Sequence, residues 1–116
     1  MRDVALQAAG MLAILVAVIH GGLSELRVFP NARIEPRHTR RLLRLIWQAT
    51  TVDWIAVGVL LIAVPSLGSP LDRQWVVALA AVVYTYAAVA NAVATGARHP
   101  GWVLMGCVVA LAIAGR

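Results

Sequence analysis

The stretch RLIWQATTVDW, Arg44 to Trp54, sets Gln48, Thr50, Thr51 and Asp53 inside an otherwise apolar run. An amide, two hydroxyls and a carboxylate can hydrogen-bond, relay a proton or hold a ligand. His20, Glu25, Tyr84, Asn91 and His99 bring chemistry-bearing side chains to other apolar stretches. At helical periodicity Arg41, Arg44, Gln48 and Thr51 follow a 3–4–3 spacing and share one face. Tyr84, Ala88, Asn91 and Thr95 follow a 4–3–4 spacing and form a second polar stripe. These spacings predict one polar cluster of His20, Glu25, Arg44, Gln48, Thr51, Asn91 and His99, at the end of a helical bundle.

Imidazole and carboxylate suit zinc or iron, so His20, Glu25 and His99 invite a metal reading, with Glu35 and His38 joining from a loop. Their spacings match no compact ligand motif. The preferred reading is a His20–Glu25–Arg44 lock that holds the bundle end together, with no metal and no cofactor assigned. Asp53 stands apart. It follows Arg44 by nine residues, about 13 Å along a helix, and points away from the Gln48 face. A carboxylate at that depth of a membrane span is a functional candidate by default. The plainer reading is a protonated Asp53 that donates to Tyr84, Thr85 or Tyr86; the sharper one is a proton relay.

The elements that must position these groups follow from composition. Of 116 residues 61% are hydrophobic and 13% charged, and the mean hydropathy is +0.82. That leaves too little polar surface to clothe a soluble domain of this size. A bilayer span needs about 20 mostly apolar residues. The chain supplies four candidates, about 4–24, 36–65, 70–95 and 100–114, in one polytopic domain over 1–116. The first is long for a secretory signal and is read as a retained span. Pro36 is placed in the first turn of the second helix. Ser69-Pro70-Leu71-Asp72 reads as an N-terminal capping box, and Gly96 stops the third helix. Short connections make neighbours antiparallel, which predicts an all-α, up-down, transmembrane four-helix bundle. The alanines at 80, 81, 87, 88, 90, 92 and 94 mark the third helix as a close-packing surface.

All ten basic residues are arginine, and the net charge is +5. In a soluble chain this would suggest nucleic acid; here the arginines flank spans, and anionic lipid head groups are the expected partners. Seven arginines (27, 33, 37, 40, 41, 44 and 98) fall on one side and three (2, 73 and 116) on the other. The positive-inside rule then places the first and third loops in the cytoplasm and both termini outside, in a bacterial inner membrane. Arg37, Arg40, Arg41 and Arg44 crowd the start of a helix whose dipole is positive there, so phosphate is the expected counter-ion. The outer end offers little beyond Gln7 and the third helix's cap. Cys107 is the one cysteine, so the chain can form no internal disulfide.

His20-x4-Glu25, the run RRLLRLIWQATT and RHPGW at 98–102 together resemble a group of small, uncharacterised bacterial four-span membrane proteins. In that group the first helix ends in His-x4-Glu-Arg and the second carries Trp-His-x-Thr. Here Leu26 separates Glu25 from Arg27, and Gln48 stands where histidine is usual. The resemblance implies the fold and topology, points to the inner-end cluster, and implies no activity.

The function expected from these residues is that of a non-enzymatic accessory subunit or binding module, packed against other membrane subunits or a second copy. A proton-coupled transporter working through Asp53 is the alternative. A metal- or cofactor-binding membrane enzyme using His20, Glu25 and His99 is the third reading.

Overall fold

The computed structural model describes residues 1–116, and every regular element in it is helical. Helix α1 spans Arg2–Leu23 and continues through a π turn, Ser24–Val28, to Asn31. The expected first span ended near residue 24, so the helix overshoots it by about two turns. Pro30 is the local cause of the widened turn. It has no N–H to give the preceding turn, and its ring crowds that turn's carbonyl. Helix α2 runs Arg37–Ala63, with Pro36 as its N-cap and not in its first turn, and ends in a 3-10 turn, Val64–Ser66. Helix α3 covers Pro70–Thr95. Ser69 caps it as expected, its hydroxyl accepting from the Leu71 and Asp72 amides, and left-handed Gly96 closes it. Helix α4 is Gly101–Ala114.

Three of the four helices are long and apolar enough to cross a membrane, counting α1 through to Asn31 and α2 through to Ser66. Helix α4 has 14 residues, about 21 Å of rise, which falls short of a hydrocarbon layer about 30 Å thick.

The tightest helix pair is α1 with α2, and glycines make it so. A Cβ on Gly10 would lie 2.5 Å from the Gly58 carbonyl oxygen, and one on Gly58 would lie 2.9 Å from that of Gly10. Ala9, Ala13 and Ala17 of α1 are fully buried beside them. The alanine-rich α3 was the expected close-packing helix, but Ala90 and Ala94 are exposed along a crevice beside α2, and only Ala80 and Ala87 of its alanines are buried. Dispersion gain follows the closest backbone approach, and here a glycine pair outdoes an alanine stripe. Helix α4 leans on α1 and α3, whereas α2 and α3 meet only sparsely. Tyr84, fully buried, bridges that loose seam by donating to the Trp54 carbonyl at 3.0 Å. The molecule is 49 Å long, and Arg27, Arg33, Arg37, Arg40, Arg41, Arg44 and Arg98 lie toward the end where α1 finishes, α2 begins and α3 meets α4.

Candidate functional site

Two polar groups flank the α1–α2 contact near the arginine-rich end. On one side Gln48 reaches across to the last turn of α1. Its Nε2 donates to Ser24 Oγ and Glu25 Oε1, both at 2.9 Å, and approaches Gly21 O at 3.3 Å. Arg44 Nε donates to Glu25 Oε1 at 3.0 Å, and its second guanidinium nitrogen pairs with Oε2, a bidentate geometry. Ser24 is fully buried and donates to Gly21 O at 2.7 Å. Gly21 is the entry point: a Cβ there would stand 2.9 Å from Thr51 Cγ2 and 3.1 Å from Gln48 Oε1. Thr51 itself donates within its own helix, to Trp47 O at 3.2 Å. Ser24 is a member of this group that sequence reasoning missed; a serine two residues after Gly21-Gly22 reads as a helix end, not as a buried donor.

His20 faces the other side. Five residues separate it from Glu25, and at 3.6 residues per turn that leaves the two side chains about 140° apart. Its ring stacks on Trp47, with centroids 4.7 Å apart and planes at 15°, and tilts against Trp54 at 4.5 Å. Trp47 Nε1 donates to His20 O at 3.1 Å, and Phe29 closes on Trp47 edge-on. His20 Nε2 lies 3.3 Å from Thr50 Oγ1, whose proton goes to Trp47 O at 2.7 Å. The expected His20–Glu25–Arg44 lock is therefore a Ser24–Glu25–Arg44–Gln48 lock, with His20 in an aromatic box behind it.

That box opens into crevices. One of about 590 Å³ lies between α2 and α3, lined by His20, Trp47, Thr50, Trp54, Tyr86 and Asn91 among others. A neighbour of about 390 Å³ carries on from His20, Trp47 and Asn91 to Thr95 and His99. Asn91 and His99 thus line the same space as His20, but no hydrogen bond joins the three. His99 Nδ1 is occupied by the Gly101 amide at 3.1 Å and caps the start of α4. Thr95 donates to Asn91 O at 2.7 Å, while Asn91 Oδ1 is buried with no partner. The single cluster expected of His, Glu, Gln and Asn is split into two, one group on either side of the α1–α2 contact.

Asp53 has none of its expected partners. Tyr84 is committed to Trp54 O, while Thr85 and Tyr86 are exposed on α3. Asp53 is exposed among Ala49, Val52, Ala56, Val59 and Leu60, and makes no hydrogen bond or ion pair within the chain. It lines none of the crevices described above. No three His, Cys, Asp or Glu side chains gather in metal-binding geometry, so the ligand set of His20, Glu25 and His99 does not assemble. Of the four arginines assigned to phosphate, Arg40 donates to Phe29 O and Arg44 is held by Glu25, which leaves Arg37 and Arg41 without an intrachain partner.

The opposite end is richer than expected. Arg73 pairs with Asp3 and donates to Gly115 O at 3.3 Å, and a cleft of about 290 Å³ there is lined by Arg2, Arg73 and Arg116. No spacing signal joins positions 2, 73 and 116; only the antiparallel topology does.

No protein-family model matches the chain, and neither a curated protein nor a solved structure shows significant similarity to it. Function must be read from the geometry.

Proposed function

We propose that this chain is a small, non-enzymatic integral membrane protein of a bacterial inner membrane, an accessory subunit or binding module. In this reading its four helices form one up-down bundle in the bilayer, α4 with local thinning. The arginine-rich end faces the cytoplasm with both termini outside, and Arg37 and Arg41 meet anionic head groups.

The observation that carries the docking role is Asp53. It sits on the outward stripe of α2, about 13 Å beyond Arg44, with no partner of its own. A carboxyl group facing hydrocarbon alone costs several kcal/mol even when neutral. A neighbouring span that presents a hydrogen-bond donor removes that cost. The small residues Ala49 and Ala56, one turn to either side, let such a span approach closely. The occupant proposed is therefore a transmembrane helix of another subunit with a polar or basic group at mid-depth.

Gentle solubilisation and identification of what co-purifies tests this. A defined partner retained by Asp53→Asn and lost with Asp53→Leu is the expected result. A wild-type chain that runs as a monomer, or a partner that Asp53→Leu retains at full stoichiometry, refutes it. A bare homodimer would place two Asp53 carboxyls at one interface and favour proton-coupled transport instead.

A further inference from the structure

The aromatic box around His20 has an unused acceptor, and proton counting locates it. Thr50 has one hydroxyl proton, and it is given to Trp47 O at 2.7 Å. At its 3.3 Å contact with His20 Nε2, Thr50 Oγ1 must then accept, so Nε2 carries the N–H. A neutral imidazole has one N–H, which leaves Nδ1 as a bare lone pair. No donor of the chain reaches Nδ1. Nor is it sealed in, for the one fully enclosed side-chain polar atom without a partner is Asn91 Oδ1. His20 lines both the crevice of about 590 Å³ and its neighbour of about 390 Å³, which lie within the range of small-molecule sites. The walls of the larger are mostly apolar, with Val82, Val83, Ala87 and Ala90 of α3 and Trp47 and Trp54 of α2 among its lining.

We infer that this crevice binds a lipid-soluble phenol or quinol-type ring, whose O–H donates to His20 Nδ1. The acceptor selects the donor. A ligand offering only acceptors, such as an ether, would set oxygen against a nitrogen lone pair and gain nothing from it. The indole faces and the alanine-lined wall select a flat, apolar body. Entry from the side, between α2 and α3, rests on the bilayer placement proposed above. The binding chemistry itself does not, nor does it involve Asp53 or any partner subunit.

Two probes matched in shape separate the hydrogen bond from simple partitioning: 4-octylphenol and 4-octylanisole, in which a methyl group replaces the phenolic proton. Binding is read in detergent micelles from the fluorescence of Trp47 and Trp54, in a Trp75→Phe/Trp102→Phe background. The expected result is saturable binding with the phenol three- to tenfold tighter than the ether, the worth of one net hydrogen bond. His20→Phe keeps the stacked ring and should remove the preference while retaining ether-level affinity. Ala90→Phe, from an exposed position on the opposite wall, should weaken both probes. Equal affinities on the wild type, a preference that survives His20→Phe, or no saturation at all overturns the inference. So does a stoichiometric phospholipid that octylphenol fails to displace. Should His20→Phe not fold, the phenol–ether comparison and Ala90→Phe decide alone. A wild-type chain that retains no partner yet still prefers the phenol would sink the docking role and leave this site standing, and a retained partner with no phenol preference would do the reverse.

Discussion

Replacing Gly10 with alanine probes the contact on which both polar groups depend. The added methyl would meet the Gly58 carbonyl oxygen at 2.5 Å and Ile62 Cγ1 at 2.6 Å. Ordinary contact begins near 3.4 Å, so α1 and α2 must part by close to 0.9 Å, and the obstacle at Gly58 is backbone that cannot rotate away. Overpacking of this kind costs about 1–3 kcal/mol. Alanine in place of glycine in a helix interior returns about 0.8–1.0 kcal/mol. The net expectation is a loss of up to ~2 kcal/mol. Gly22 and Gly106 are the controls. Nothing lies within 4 Å of a Cβ at either, so alanine there should be neutral or stabilising. Gly21→Ala should fall between, because the atoms it meets belong to the Thr51 and Gln48 side chains, which can shift. Reversible unfolding in mixed micelles, titrated with a denaturing detergent and followed by circular dichroism, orders the series. If Gly10→Ala proves as stable as Gly22→Ala, the glycine-mediated contact is not what joins α1 to α2.

Tyr84→Phe removes the hydroxyl that ties α3 to the Trp54 carbonyl, and should cost about 0.5–1.5 kcal/mol in the same titration. It should also widen the seam between α2 and α3, read as faster cysteine labelling of an Ala87→Cys reporter. Gln48→Leu deletes the amide that reaches Ser24 and Glu25 and should cost about 1–2 kcal/mol. Ser24 retains its own bond to Gly21 O, so the loss should not extend to the end of α1. An unchanged midpoint for Gln48→Leu would show the α1–α2 lock to be dispensable.

The helical class, the caps at Ser69 and Gly96 and the segregation of arginines were legible in the sequence. Each depends on local propensity, on hydropathy summed over a window, or on a side chain bonding a backbone amide two or three residues away. The division of the polar residues was not foreseen: His20 and Glu25 were expected in one lock, although their five-residue interval turns the two side chains about 140° apart. What no window contains is which helix fills each direction. Gly10 and Gly58 bring α1 against α2, and that choice sends Glu25 to Gln48 and His20 to the tryptophans. The same choice leaves α3 loosely held by Tyr84, opens the crevice beside His20, and turns Asp53 outward. Local chemistry fixed what each helix carries. The closeness of backbone approach, a property of two helices at once, decided what each side chain meets.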